Sequence, residues 1–174
     1  MKPHELHRAS APPHLNFYLV TVSTSRYAGR ARGETVVDEA GDVAERRIRE
    51  AGHRLVGREL IPDDPAMLRE ALNRALGRGD VDVVIFTGGT GISPRDLTIE
   101  TLRPFFDKEL EGFGEILRQV SFQRIGAAAL LTRATAGVVS GRLVLCLPGS
   151  PDAVETGLEV FMGELPHAVF IARG

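Results

Sequence analysis

Short apolar runs alternate with amphipathic stretches along most of this chain. The segments LNFYLVTVS from Leu15, RLVGRELI from Arg54 and VDVVIFTGG from Val81 are strand-like runs that end in small or polar residues. Between them, apolar residues recur at helical spacing over residues 36–51 and 62–78. This alternation predicts βαβ crossovers and a parallel sheet that is covered by helices on both faces.

The second half of the chain continues the pattern and adds a different sheet edge. Helical stretches are predicted near residues 98–106 and 111–123. Two strand-like runs, ATAGVVS and RLVLCLPG, are separated at Ser140 and Gly141, which predicts a hairpin. A last helix is predicted from Pro151. We therefore predict an α/β fold of three layers, α/β/α, with a mostly parallel sheet and a hairpin-type mixed edge.

The N-terminal segment differs from the rest. Residues 1–14 contain three prolines and three histidines without apolar periodicity, so we predict a disordered arm there. Residues 15–174 show no internal linker or repeat, and the total of 174 residues suits a single domain of this length. The predicted organisation is one arm and one domain.

Composition excludes several classes of protein. Because 21 Lys and Arg stand against 23 Asp and Glu, the basic footprint of a nucleic-acid-binding protein is missing. Cys146 is the single cysteine, so no internal disulfide forms and a reducing compartment is expected. The sequence has no apolar run of roughly 18 residues and no signal-peptide pattern, so we predict a cytoplasmic protein without a membrane segment.

Glycine and hydroxyl residues follow the third predicted strand. In open α/β sheets, ligands bind outside the carboxyl ends of the strands. The loop TGGTGISPRD contains Gly88, Gly89 and Gly91, which let backbone N–H groups approach an oxyanion closely. The spacing fits neither the P-loop nor GxGxxG. The loop therefore indicates either a phosphate cradle or a plain turn between strand and helix.

Carboxylates also follow two successive strands. Asp63 and Asp96 would lie on the same edge of the sheet, where two carboxylates beside a phosphate cradle suit Mg²⁺. The alternative is helix capping, which applies equally to Asp64. Arg95 offers a bidentate contact to a second anion, and Ser150 offers a hydroxyl at the start of the last helix, where it is also a good N-cap.

Several of these motifs, taken together, resemble those of a known protein family. The stretch TGGTGISPRDLTIE, preceded by LIPDD and followed by EGFGEILRQVSF, AGVV and LPGSPDAV, resembles the MoaB/Mog family of molybdenum cofactor biosynthesis proteins. The five motifs agree in order and spacing, from about Leu15 to the C-terminus. The EGFGE and SFQRIGAAAL stretches favour the MoaB branch.

The resemblance implies a fold, an assembly and a reaction. Members of the family have a three-layer α/β domain and form homotrimers or hexamers. The active ones are molybdopterin adenylyltransferases, which use Mg²⁺ and ATP to adenylylate the terminal phosphate of molybdopterin and release pyrophosphate. The product is then handed over to a molybdenum-insertion protein.

The resemblance also assigns roles to residues. The two functional aspartates of the family correspond to Asp63 and Asp96, which would hold the metal. The phosphate-binding positions correspond to Gly88, Gly89, Thr90, Gly91, Arg95, Pro148, Gly149 and Ser150.

One departure and one alternative stay open. The segment STSRYAGRARGE, read as a polar loop, has Thr24 and Ser25 where many members have an acidic residue. A non-catalytic molybdopterin-binding or scaffold protein is the alternative to the enzyme. The presence of both Arg95 and Asp96 favours the enzyme, because some members that lack activity have no arginine before the second aspartate.

The basic residues predict heat stability. Only Lys2 and Lys108 among the 21 basic residues are lysines, and Asn, Gln, Cys and Met are scarce, as in heat-adapted proteins. GC-rich coding explains the same bias. If heat adaptation is the cause, thermal unfolding should show a midpoint well above the roughly 45–65 °C of mesophilic domains, whereas a midpoint inside that range contradicts the hypothesis.

Overall fold

The structure, a computed structural model, describes residues 8–174. Its strands are β1 (Asn16–Val22), β2 (Arg54–Ile61), β3 (Val83–Thr87), β4 (Lys108–Glu109), β5 (Thr135–Val139) and β6 (Arg142–Leu147). Its α-helices are α1 (Thr24–Ala31), α2 (Glu39–Glu50), α3 (Pro65–Gly77), α4 (Thr98–Leu102), α5 (Glu111–Ile125), α6 (Pro151–Phe161) and α7 (Leu165–Arg173). Short 3₁₀ turns cover Arg103–Phe105, Gly126–Leu131 and Met162–Glu164.

One six-stranded sheet organises the chain, in the order β2-β1-β3-β6-β5-β4. Strands β1, β2, β3 and β6 are parallel, whereas β5 is antiparallel to β6 and β4 is antiparallel to β5. The β5–β6 turn consists of Ser140 and Gly141, both with positive φ (50° and 74°), as a tight two-residue hairpin turn requires. The predicted parallel sheet with a hairpin edge is confirmed.

Alternation along the strands produces two cores. In β1, Phe17 and Leu19 pack on the face covered by α2, α5, α6 and α7, while Val20 and Val22 pack on the face covered by α3 and α4. Successive side chains of a strand point to opposite faces of the sheet, so each strand contributes to both cores. The predicted three-layer arrangement is therefore confirmed, and Cys146 lies fully buried in the second core.

The structure corrects the boundaries of several predicted elements. The segment predicted as a polar loop after β1 is helix α1, whose N-cap Ser23 accepts a hydrogen bond from the N–H of Arg26. The helix is short and mostly exposed and contains few apolar residues, so its sequence resembles that of a polar loop. The predicted last helix divides into α6 and α7, because Pro166 lacks the N–H needed to continue the helical ladder.

Helices in the part of the chain that the structure describes are short. The longest, α5, has 15 residues, and none of them has the length and apolar character needed to cross a membrane.

The predicted arm falls partly outside the described residues. Nothing is described for residues 1–7. Within 8–14, Arg8 pairs with Glu164 at 2.8 Å, and His14 Nδ1 lies 2.9 Å from the carbonyl oxygen of Gly52. These contacts join the segment before β1 to two separate parts of the domain.

Asp38 links the start of α2 to the sheet. One oxygen, Oδ1, accepts from the Gly41 N–H (3.0 Å), and Oδ2 accepts from Thr21 Oγ1 (2.6 Å) and Arg58 Nη2 (3.0 Å). Burial by itself raises the pKa of Asp38, but these donors outweigh it and hold the pKa below its usual value. The folded state therefore favours the ionised carboxylate.

Replacing Asp38 by Asn should lower the free energy of unfolding by about 1–3 kcal/mol at pH 7, because a neutral amide cannot satisfy these three donors. A carboxyl with a depressed folded-state pKa stabilises above its unfolded pKa of about 4, and this contribution is lost as pH falls through the folded pKa. Urea unfolding at pH 7 and at about pH 3 should therefore show a difference that shrinks in acid. Asp42→Asn, on the exposed partner of the same Arg58, is the matched control and should cost less than about 0.5 kcal/mol. An equal loss for D38N at both pH values would contradict this account.

Candidate functional site

The four parallel strands end at one edge of the sheet. Because β1 pairs with both β2 and β3, the chain changes direction across the sheet at this point, where α/β sheets open a crevice. The N–H of Ser23 donates to the carbonyl of Ile61 (2.9 Å), and the N–H of Gly88 donates to that of Leu147 (3.0 Å). These backbone bonds join the segments that follow β1 and β2, and those that follow β3 and β6.

Two glycines after β3 occupy positions that other residues would fit poorly. Gly88 and Gly89 have φ values of 105° and 66°, which side chains disfavour. A Cβ on Gly88 would collide with the carbonyl oxygen of Val22, and one on Gly89 would collide with the carboxylate of Asp63. The loop therefore passes close to both neighbouring strands only because it has no side chains at these positions.

The carbonyl groups of this loop are held from behind. Thr98 donates its hydroxyl to the Gly88 carbonyl (2.8 Å) and its N–H to the Gly89 carbonyl (3.0 Å). Arg133 Nη1 donates to the Gly91 carbonyl (2.7 Å). By contrast, the N–H groups of Gly89, Thr90 and Gly91 have no acceptor among residues 8–174. Free successive N–H groups of this kind are suited to an anion.

Asp63 lies beside the loop and is held through backbone contacts. Both of its carboxylate oxygens lie 3.2 Å from the N–H of Leu97, and its own N–H donates to Thr24 Oγ1 (3.0 Å). Burial raises the pKa of Asp63 to about 6, and the charges of Asp96 and Glu100 add to the rise, while the Leu97 N–H opposes it. Ionisation of Asp63 is thus costlier than that of an ordinary carboxyl, and a nearby positive charge would favour it.

Asp96 turns back toward the same loop. Its Oδ2 accepts from the Ser93 N–H (2.9 Å), and a Cβ on Gly91 would lie 2.7 Å from that oxygen. The Asp96 charge contributes to the raised pKa of Asp63, so the two carboxylates influence each other. The structure therefore brings together the two aspartates that sequence analysis paired.

Helix capping does not explain either aspartate. Asp64 caps α3, because its Oδ1 accepts from the N–H groups of Ala66 (2.9 Å) and Met67 (3.0 Å). Helix α4 begins after Leu97 without a side-chain cap. The alternative that Asp63 and Asp96 serve as N-caps is therefore wrong, and it holds for Asp64 alone.

The carboxylates suit a magnesium ion that shares its ligands with phosphate. Residues 8–174 contain no group of three or more His, Cys, Asp or Glu side chains placed to hold a metal by themselves. Mg²⁺ typically takes one or two carboxylates and completes its shell with water and substrate phosphates. The oxygen donors of Asp63 and Asp96, beside a loop with free N–H groups, fit that requirement.

The segment after β6 forms the opposite wall. A Cβ on Gly149 would lie 3.0 Å from Gly88 Cα, and the Pro148 carbonyl accepts from Thr87 Oγ1 (2.9 Å). Ser150 caps α6, since its Oγ accepts from the Ala153 N–H (3.2 Å). The predicted second loop therefore contacts the glycine loop directly.

Arg95 is exposed at the far end of the glycine loop. Its guanidinium has no ion-pair partner among the described residues, although its backbone N–H donates to Ser93 Oγ (3.3 Å). The side chain is thus available to an anion. The structure does not place it in contact with Ser150 or with either aspartate.

A cleft opens beside this edge. It has a volume of about 490 Å³ and lies between the first turn of α6 and the segment Gly126–Leu131. Pro148 and Ser150 line one side, while Ile125 and Leu131 contribute apolar surface on the other. Its size and mixed lining suit a small organic ligand.

Sequence reasoning missed three residues that shape the site. Thr24 supports the backbone of Asp63, Thr98 holds two carbonyls of the glycine loop, and Arg133 holds a third. Thr98 lies within the motif TGGTGISPRDLTIE and Thr24 in the segment after β1, but neither was assigned a role, and Arg133 belongs to none of the motifs. Arg133 lies 42 positions from Gly91, so only the fold connects them.

Comparison with known proteins gives a consistent result. Residues 18–167 match the model of a family described as the probable molybdopterin binding domain. The chain is 42% identical over 173 residues to a protein named molybdopterin adenylyltransferase from Pyrococcus furiosus. The aligned region covers 97% of this chain and 98% of that protein. The chain is 36% identical to molybdenum cofactor biosynthesis protein B from Bacillus cereus, over 94% of each chain. A crystal structure of the tungsten cofactor synthesizing protein MoaB from Pyrococcus furiosus superposes with a TM-score of 0.84 at 40% identity, over 94% of this chain and all of that one.

Thr98→Val should weaken the binding of inorganic pyrophosphate by about tenfold, because the hydroxyl that orients the Gly88 carbonyl is replaced by a methyl group of similar size. Thr98→Ser keeps the hydroxyl and should stay within about threefold of the parent. Isothermal titration calorimetry measures both affinities. An equal loss in the two variants would show that packing volume, and not the hydrogen bond, matters at this position.

Proposed function

Because this chain belongs to the family of the probable molybdopterin binding domain, we propose that the edge formed by Asp63, Asp96 and the loop Gly88–Gly91 adenylylates molybdopterin. The chain acts in molybdenum cofactor biosynthesis and is an enzyme of the nucleotidyltransferase class. The site assignment rests on one observation: Asp63 and Asp96 lie beside the Gly88–Gly91 loop, where the N–H groups of Gly89, Thr90 and Gly91 have no acceptor among residues 8–174.

The reaction requires positioning more than covalent help. An oxygen of the terminal phosphate of molybdopterin attacks the α-phosphorus of ATP, the bond from that phosphorus to the bridging oxygen breaks, and pyrophosphate leaves with the electron pair. Both reactants are polyanions, so the barrier falls when they are held in line and their charge is balanced.

The protein's own groups divide this task. The N–H groups of Gly89, Thr90 and Gly91 bind phosphate oxygens, and the exposed guanidinium of Arg95 binds a second anionic group. Ser150 and the N-terminus of α6 face the same side as Pro148 and Gly149 and favour an anion there. The adjacent cleft provides room for the pterin.

Mg²⁺ completes the proposed site, with Asp63 and Asp96 as its protein ligands. When bound, the ion supplies positive charge that offsets the phosphate charge during transfer. Asp63 favours such a partner, since burial and the charges of neighbouring carboxylates raise its pKa.

Assembly and location also remain part of this proposal. Two large apolar side chains that do not line the cleft, Phe122 on α5 and Leu130 in the following turn, are 62% and 85% exposed. An apolar surface of this kind supports a homotrimer or hexamer, as does the family resemblance. We retain a cytoplasmic location and hand-over of the product to a molybdenum-insertion protein as proposals.

Asp63→Asn and Asp96→Asn should each lower molybdopterin-dependent pyrophosphate release by about 100-fold or more, because each variant loses a charged metal ligand. The assay contains ATP, Mg²⁺ and molybdopterin, and follows pyrophosphate. Asp64→Asn is the matched control: Asn also caps helices well, so this variant should keep the parent rate.

Two results would overturn parts of the proposal. If D96N turned over at the parent rate while folded, the metal assignment would be wrong. If the parent released no pyrophosphate but bound the pterin, the protein would belong to the non-catalytic binding class.

A further inference from the structure

Arg133 joins two distant parts of the site. It lies directly before the buried residues that begin β5, and its guanidinium, about one third exposed, reaches across to the glycine loop. Nη1 donates to the Gly91 carbonyl (2.7 Å), while Nη2 pairs with the carboxylate of Glu100 on α4. One planar guanidinium thus bridges a backbone carbonyl and a carboxylate.

The contact at Gly91 secures the end of the loop that Thr98 does not reach. Thr98 holds the carbonyls of Gly88 and Gly89, both at the β3 end. Beyond them, the Gly91 carbonyl is held by Arg133 alone among the described residues. Since each peptide plane fixes a carbonyl and the following N–H together, this contact also orients the backbone that leads toward Asp96.

Glu100 gives the same arginine a second effect. Three carboxylates lie around the glycine loop: Asp63 beside Gly89, Asp96 beside Gly91, and Glu100 on the arginine that holds the Gly91 carbonyl. A substrate with phosphate groups would be repelled by all of them. Arg133 balances the charge of Glu100. The repulsion of the substrate phosphates therefore comes mainly from the two aspartates, whose charge a cation can neutralise.

We infer that Arg133 is a positioning residue for the proposed transfer: it holds the Gly88–Gly91 loop in the shape that binds phosphate and balances Glu100 beside the site. The inference rests on the proposed function for its link to catalysis. Its structural part, the attachment of the loop, stands on the two contacts alone.

A lysine cannot replace this arginine fully. Lysine presents one compact ammonium group, whereas the two nitrogens of Arg133 contact the Gly91 carbonyl and Glu100 in separate directions. A partly exposed ion pair contributes little to overall stability, so removing it should leave the protein folded. The effect should therefore appear in the loop and in turnover, and not in unfolding.

The test compares Arg133→Gln, Arg133→Lys and a matched control. Arg103→Gln removes an arginine from the turn after α4 that pairs with Glu109 (3.0 Å), without touching the loop. Amide hydrogen exchange is measured over residues 88–97 in the ligand-free protein, together with kcat, KM for ATP and the affinity for inorganic pyrophosphate.

In R133Q, exchange of the hydrogen-bonded amides of Ser93, Asp96 and Leu97 should rise about fivefold or more, because the loop opens more often without its attachment. The kcat should fall by about 10- to 100-fold, since misplaced phosphate contacts are costly in the transition state, while KM changes less than about threefold. R133K should recover part of both effects, and R103Q should match the parent.

Unchanged loop exchange in R133Q, or an equal loss of kcat in R103Q, would overturn the inference. A parent protein that releases no pyrophosphate would refute the proposed function instead. In that case loop exchange and pyrophosphate affinity still decide the role of Arg133: parent-like values in R133Q would refute it, and a loosened loop with weakened binding would support it.

Discussion

The close approach of Gly88 to the carbonyl oxygen of Val22 is the constraint on which the site depends. Strands β1 and β3 are parallel neighbours, and the chain leaves β3 directly against the end of β1. Only a residue without Cβ, at a φ of 105°, fits there. This fit lets the loop cross the edge of the sheet, where it meets Asp63 on one side and Gly149 on the other.

Hydrogen bonding divides the glycine loop into two faces with opposite roles. Thr98 and Arg133 donate hydrogen bonds to the carbonyls of Gly88, Gly89 and Gly91. The N–H groups on the other side of the loop have no acceptor among residues 8–174. Backbone donors of a folded chain usually have an acceptor, so a run of donors without one among residues 8–174 suits an anionic ligand. The polarity of the site thus follows from where the carbonyls are held.

Charge imposes a second condition on the same edge. The site brings carboxylates together although its substrates are anions, and burial makes the ionised state of Asp63 costly. The proposed divalent cation would resolve this conflict, because it would be attracted by both the protein and the phosphates. Arg95 is exposed and has no carboxylate partner among residues 8–174, whereas Arg133 is paired with Glu100, so the fold engages the second arginine and leaves the first accessible.

Local patterns in the sequence were sufficient for five of the six strands, the parallel arrangement, the hairpin at Ser140 and the glycine loop, because each of these depends on neighbouring residues or on a short period. They also placed Asp63 and Asp96 at the ends of strands. The edge strand β4 was not predicted, since a strand of two residues has no period to detect. Helix α1 was not predicted, because it is short and exposed and contains few apolar residues.

Only the tertiary structure decided how those residues are held. It assigned the capping role to Asp64, joined Thr24 to the backbone of Asp63, and brought Arg133 to Gly91 from 42 positions away. Such contacts depend on how the segments next to β3, β5 and α4 are placed in the folded chain. A hydrogen bond between residues that are distant in sequence produces no periodicity along the chain. The sequence by itself therefore determined the kind of site, while the packing of separate segments determined its geometry.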